Sequence, residues 1–160
     1  MLEQDEAEAQ VYPLYLTQLA QVLTVVVGGG AVGERKIAGL LAAGARVRLI
    51  SPTATAQIAA WAKRREIEWV TRDYHVGDLA GAFLAFAATN ARTVNAQVAQ
   101  EAAQLHMLCN VADAPADGNF HVPAVHRQPG LVIAVGSGGQ SPTRAKRIRD
   151  QIAKLLAKTA

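Results

Sequence analysis

The sequence contains one cysteine, Cys109, so no disulfide can close within the chain. Its apolar surroundings, "HMLCNV", mark a buried strand thiol. No apolar run reaches the roughly 20 residues needed to span a bilayer. The N-terminus "MLEQDEAEAQ" is acidic where a secretory signal would be basic. Both absences point to a soluble cytoplasmic protein without a membrane partner. Internal repeats and low-complexity linkers are missing as well. Only 18% of residues are charged and 51% are hydrophobic, which excludes a disordered chain and leaves enough apolar surface for one ordinary globular core.

The net charge of +3 is mild but unevenly placed. Four of the thirteen acids fall within the first eight residues, and six of the sixteen Lys and Arg lie from Arg144 onward with one acid, Asp150. Such a basic segment suits an anionic partner, nucleic acid or small molecule, or is simply a solvated helix face. No helix-turn-helix pattern accompanies it, so no nucleic-acid partner is expected. The four histidines, His75, His106, His121 and His126, have no spacing to cysteine or carboxylate that would make a metal site.

Hydrophobic patterning supplies the fold. "QVLTVVV" reads as a buried parallel strand. Ile37, Leu40 and Leu41 then fall at helical spacing before a stop at Gly44. "RVRLI", "IEWV", "GAFLAFAAT" and "MLCNVAD" are further strands, and "SPTATAQIAAWAKRR" and "RTVNAQVAQEAAQLH" further helices. This alternation predicts an α/β, Rossmann-like parallel sheet with helices on both faces. Past Asp113 it gives way to a β-hairpin, "FHVPAVHR" and "GLVIAVGS", and a basic amphipathic C-terminal helix. There Ser141 is the expected N-cap, Pro142 the first helical residue, and Ile148, Ile152, Leu155 and Leu156 the apolar stripe. The organisation expected is an acidic, disordered leader over 1–11, a dinucleotide-binding domain over 12–113, and a hairpin-and-helix region over 114–160. The hairpin has little to pack on in its own chain, which predicts a homodimer formed through this region.

Within "VVVGGGAVGERK", Gly28, Gly30 and Gly33 match G-x-G-x-x-G between a strand and a helix. The first glycine permits the tight turn, the second lets a pyrophosphate approach, and the third lets helix and strand pack. The helix N-terminus adds free amides and partial positive charge. The glycine-lysine-serine/threonine ending of a P-loop is absent, which excludes that class of nucleotide hydrolysis. Also absent is the acid expected at the end of the second strand, where Ser51 stands. Ser51 and Thr53 offer weaker hydroxyl partners, and Arg46 and Arg48 leave room for a 2′-phosphate. On these residues NAD and NADP both remain open.

The ordered segments "YPLYL", "VVVGGGAVGERK", "LLAAGARVRLISP", "DLAGAFLAFAATN", "NVADAP", "FHVPA" and "VGSGGQSPTRAKRIR" resemble the precorrin-2 dehydrogenase family of sirohaem biosynthesis, from Tyr12 to near the end of the chain. The resemblance implies NAD-dependent oxidation of precorrin-2 to sirohydrochlorin. It implies dinucleotide contacts at Ala31 and Val32 in the glycine turn, at Pro52 and Thr53 after the second strand, and at Thr89 and Asn90 in the crevice at a strand end. It assigns the catalytic role to Asp113, as general base or stabiliser of charge developing on a pyrrole nitrogen. The substrate is an anionic tetrapyrrole with eight carboxylates, for which Ser137, Gly138, Gly139, Ser141 and Arg144, with His121 in the hairpin, are the candidate contacts. Some family members also insert iron and run longer; a chain ending at Ala160 is expected to match the short members that only dehydrogenate. The alternative is a domain of the same fold that senses NAD(H) without turnover. A tyrosine–lysine oxidoreductase is disfavoured, because no Lys stands at a suitable spacing from Tyr12, Tyr15 or Tyr74.

Overall fold

The structure, a computed structural model, describes residues 11–158; the leader expected over 1–11 lies, apart from Val11, outside the described residues. Two compact units are present, one running from Leu16 to Phe120 and one made of the stretch ending at Tyr15 together with the residues from His121 onward.

The first unit is organised by β1 (Leu23–Gly29), whose Val25 and Val26 are fully buried. A strand covered on both faces needs apolar side chains at every position, not at alternate ones. On one side β1 pairs with β2 (Arg46–Ala54), which pairs with β3 (Glu68–Val70). On the other it pairs with β4 (Ala82–Ala87), which pairs with β5 (Leu108–Val111). All four pairings are parallel, in the order β3-β2-β1-β4-β5. The chain therefore reverses its direction of travel across the sheet between β1 and β4, and a crevice opens at the carboxyl ends of those two strands.

Helices α1 (Ala31–Leu41) and α2 (Ala56–Lys63) cover one face, where Ile37, Leu40 and Ile58 join Val26, Val47, Leu49 and Phe86 in one core. Helix α3 (Arg92–Gln104) covers the other through Val98 and Ala102. The β3–β4 crossover carries no helix. Its loop instead inserts Tyr74 and Leu79 into the core beside α3. Glu101, buried on α3, anchors that loop by accepting from the Tyr74 hydroxyl and from the backbone N–H groups of Gly77 (3.0 Å) and Leu79 (3.2 Å). A buried carboxylate with three donors is satisfied rather than costly.

One edge of the sheet is β5, and the chain folds back to cover it. Asn119 behaves as a one-residue strand: its N–H donates to the Cys109 carbonyl (2.9 Å), its Oδ1 accepts from Cys109 N–H (2.8 Å), and its Nδ2 donates to the Met107 carbonyl (2.8 Å). Asn110 reciprocates through Nδ2 to the Phe120 carbonyl (3.0 Å), and Phe120 packs edge-on against Phe86. The unit thus continues past Asp113 to Phe120, and its exposed edge is blunted without a further strand.

In the second unit β6 (Ala124–Gln128) and β7 (Leu131–Val135) form an antiparallel hairpin. Contrary to the sequence expectation, this hairpin does find a partner in its own chain. The C-terminal helix α4 (Pro142–Leu156) packs on both strands, and Arg149 Nη1 donates to the Val125 carbonyl at 3.0 Å. Ile148, Ile152 and Leu156 are half-buried, whereas Leu155 is exposed. The reason is periodicity: the apolar stripe of α4 is itself an unpaired surface, and it closes on the nearest apolar sheet.

Candidate functional site

Glycine chemistry shapes the crevice. At Gly28 (φ +111°) a β-carbon would lie 2.5 Å from the Ala88 carbonyl oxygen, so the end of β1 presses directly on the end of β4. At Gly33 it would lie 2.0 Å from the Gly28 carbonyl oxygen, which seats the first turn of α1 on the strand. At Gly30 it would meet nothing within 4 Å. Two of the three glycines are therefore demanded by packing, and the middle one opens onto empty space. The first bond of α1 runs from Glu34 N–H to the Gly30 carbonyl (2.9 Å), leaving the amides of Ala31, Val32 and Gly33 without intrahelical acceptors. Open space, free amides and the positive helix end together fit a dinucleotide pyrophosphate.

The rim beyond β1 is built by Ser51. Its buried hydroxyl accepts from Gly29 N–H (3.0 Å) and donates to the Thr53 carbonyl (2.7 Å). Ser51 thus braces the glycine turn, while Pro52 and Thr53 are the residues exposed at the surface. Arg46 and Arg48 are poorly placed for a 2′-phosphate. Both precede the carboxyl end of β2, Arg46 by about 17 Å of strand measured to Ser51, and Arg48 is engaged by Glu68 at 2.9 Å.

Across the crevice, Thr89 follows β4 and Asp113 follows β5, with Asn90 exposed beside Thr89. Asn95, on the first turn of α3, joins the two. Its Oδ1 accepts from Thr89 N–H (3.1 Å) and the Thr89 hydroxyl (2.7 Å), and its Nδ2 donates to the Thr89 carbonyl (3.0 Å) and Asp113 Oδ1 (2.8 Å). The second Asp113 oxygen has Arg92 Nε at 3.9 Å, and Arg92 is itself hydrogen-bonded to Asp117. Asp113 is 35% exposed at its side chain, enough to meet a ligand while held from below.

In the second unit, the "SGGQSP" turn carries two successive left-handed glycines, Gly138 (φ +62°) and Gly139 (φ +86°). Ser137 Oγ accepts from Ser141 N–H (2.9 Å), and Ser141 Oγ caps α4 by accepting from Arg144 N–H (3.3 Å). A β-carbon on Gly139 would stand 3.3 Å from His121 Cε1, so the imidazole lies directly over that glycine. The structure thereby gathers His121, Ser137, Gly138, Gly139, Ser141 and Arg144 at one end of α4. Among the described residues no cluster of three His, Cys, Asp or Glu side chains is placed to hold a metal ion, and no helix is long and apolar enough to cross a membrane.

A protein-family model described as "Putative NAD(P)-binding" matches residues 16–124. Among solved structures, the chain superposes on "SirC, precorrin-2 dehydrogenase" with a TM-score of 0.79 and 30% identity, covering 90% of this chain and 70% of that one. The chain belongs to the precorrin-2 dehydrogenase family. Curated relatives of this family include "Siroheme synthase 1" of Aeromonas salmonicida, 39% identical over 82% of this chain and 28% of the relative. "Siroheme synthase 2" of Klebsiella pneumoniae is 38% identical over 87% of this chain and 30% of the relative. The chain thus spans less than a third of the length of these relatives. Its Rossmann-like sheet, antiparallel hairpin and C-terminal helix are the family's fold.

Sequence reasoning passed over Asn95. An asparagine in the first turn of a helix reads as a polar surface residue, and only its burial among Val98, Thr89 and Asp113 reveals otherwise. Its one signal was position: three residues before Val98, it shares the core-facing side of α3.

Proposed function

We propose that this chain catalyses the NAD-dependent oxidation of precorrin-2 to sirohydrochlorin, with Asp113 as its catalytic residue. The observation that carries this reading is the conjunction at one crevice of an open glycine cradle and a carboxylate held at the neighbouring strand end. Gly28, Gly30, Ala31, Val32 and Gly33 would hold the pyrophosphate, Ser51 would brace them, and Pro52 and Thr53 would border the adenosine. Thr89 and Asn90 would flank the nicotinamide. Bound there, NAD supplies a two-electron acceptor for hydride. Oxidation of the reduced tetrapyrrole removes a proton as well as that hydride, and Asp113 takes the proton or stabilises the positive charge left on a pyrrole nitrogen.

Precorrin-2 brings many carboxylates, and these need amide donors and cations. Ser137, Gly138, Gly139, Ser141, Arg144 and His121 are assigned to them, since two glycines at a helix entrance followed by an arginine match that chemistry. A homodimer is part of the proposal. Val122, Leu131 and Val132 remain exposed after α4 has packed on the hairpin, and a second copy would cover them. Cytoplasmic residence accords with the unpaired thiol of Cys109.

The test is an anaerobic assay of the protein with precorrin-2 and NAD⁺, following NADH and sirohydrochlorin together, with Asp113→Asn beside the parent. Equal amounts of the two products are expected, with a drop of about 10²- to 10⁴-fold in kcat for the variant and an unchanged NAD affinity. NAD binding without turnover by the parent would replace this reading with a redox-sensing domain. Iron insertion is measured on the same product by its change in absorbance.

A further inference from the structure

Asn95 is fully buried and all four of its hydrogen-bonding positions are used. Its orientation follows from its partners. The Thr89 carbonyl and Asp113 Oδ1 can only accept, so the amide nitrogen must face them; Thr89 N–H can only donate, so the amide oxygen must face it. The side chain is therefore a fixed bracket between the ends of β4 and β5. The amide oxygen holds the N–H and hydroxyl of Thr89, and the amide nitrogen holds both the Thr89 carbonyl and a single oxygen of Asp113.

That grip makes the two carboxylate oxygens unequal. Oδ1 is committed to Asn95 at 2.8 Å. Among the described residues Oδ2 has no comparable partner: Arg92, of the same helix as Asn95, stands 3.9 Å away and is bonded to Asp117 of the following turn. Asn95 and Arg92 are the polar partners shown for Asp113 among the described residues, with Asp117 joined to it through Arg92.

We infer that Asn95 is a positioning residue for Asp113, fixing the carboxylate through Oδ1 so that Oδ2 is the oxygen that takes the substrate's proton. The inference rests on the catalytic reading of Asp113. In the step it serves, a substrate C–H bond breaks as its electron pair and hydrogen pass to NAD⁺; a second bond to hydrogen on the substrate then breaks, its proton moves to Oδ2, and its electron pair closes the new double bond. Oδ1 is the poorer acceptor, because one of its acceptor directions is filled by the Asn95 amide and its orientation is fixed from α3. A carboxylate held this way does not lose rotamer freedom on reaching the transition state, which is where positioning contributes to rate.

Asn95→Asp tests the contact between the two side chains. It keeps the shape of the side chain but removes the donor to Oδ1 and sets a second carboxylate against the first. Like charges at that distance favour sharing one proton. The acid limb of the kcat/KM–pH profile is then expected to move at least one unit toward higher pH, a tenfold or greater loss at any pH on that limb. Because the new charge would move the limb by proximity alone, Asn95→Ser, uncharged and too short to reach Oδ1, tests the positioning itself: a tenfold or greater fall in kcat with little change in KM for NAD⁺ is expected, and a folded Asn95→Ser protein with the parent's kcat overturns the inference. An acid limb unmoved in a folded Asn95→Asp protein that binds NAD normally overturns the inference and leaves Asp113 standing. Activity retained by Asp113→Asn overturns both.

Should Asn95→Asp fail to fold, the parent protein decides. The side-chain amide resonances of Asn95, followed by NMR against pH, are expected to titrate with the kinetic acid limb and to lose that inflection in Asp113→Asn. Resonances that stay flat through the limb overturn the inference.

Discussion

A β-carbon placed on Gly33 would stand 2.0 Å from the carbonyl oxygen of Gly28, whereas one placed on Gly30, midway between them in the same motif, would touch nothing. The three glycines of one fingerprint therefore answer to different forces. Gly28 and Gly33 are required by the packing, whereas Gly30 is free of it and, on the proposed reading, leaves room for the ligand.

Alanine substitution should split these roles. Gly33→Ala must push α1 away from β1, because the obstructing atom is backbone; a loss of about 2–4 kcal/mol is expected, as for overpacking at its severe end. Gly30→Ala has an ordinary φ of −80° and free space. Its stability should stay within about 0.5 kcal/mol of the parent, since a slightly poorer N-cap is offset by a less flexible unfolded chain. Its NAD affinity should fall tenfold or more, because the methyl group occupies the pyrophosphate's approach. Thermal unfolding and calorimetric titration with NAD⁺ check both arms. Equal losses of stability in the two variants would contradict the assignment.

A second expectation concerns the sheet edge. Asn119→Ala removes two side-chain bonds to β5 and leaves the Cys109 N–H and Met107 carbonyl without those partners. A cost of about 2–3 kcal/mol is expected from two orphaned backbone groups. An uncovered edge also invites strand addition from another molecule. Urea unfolding should show the lower midpoint, and light scattering on mild heating should show earlier aggregation than in the parent. A variant with the parent's midpoint would mean that water replaces Asn119 without loss.

How much of this was legible in the sequence depends on the range of the interaction. The glycine turn, the buried valine strand and the stripe of α4 are local patterns, and each of their residues says what it needs within a few positions. Asn95, Glu101 and Asn119 say little locally. Each is a polar residue whose role is set by a partner 6 to 27 residues away, and only the folded chain brings that partner in. Ser51 shows the same limit from the other side. Its position near the end of β2 suggested a ribose contact, whereas in the fold its hydroxyl accepts from Gly29 N–H and donates to the Thr53 carbonyl. The expectation that the hairpin has little to pack on in its own chain fails because a linear reading does not reveal that α4 folds back onto it.

The last prediction is alkaline. Cys109 lies in β5 with its thiol in the core, and burial pushes that thiol up to about 11. Tyr74, also buried, has its phenol raised above the ordinary value of 10, first by desolvation and then by its hydrogen bond to Glu101. Both groups hold their protons more tightly folded than unfolded. Their contributions are therefore complete below the unfolded values, near 9 for the thiol and 10 for the phenol, and are lost as pH rises through the folded ones. Stability measured by urea unfolding should decline from pH 9 upward, each group steepening the slope by as much as about 1.4 kcal/mol per pH unit. In Cys109→Ala the decline between pH 9 and 11 should become shallower, although a small cavity lowers the starting value. Tyr74→Phe should instead lose stability at neutral pH, because Glu101 is left with one donor fewer, and flatten the slope above pH 10. Slopes in both variants parallel to the parent's would mean that the alkaline transition belongs to other groups.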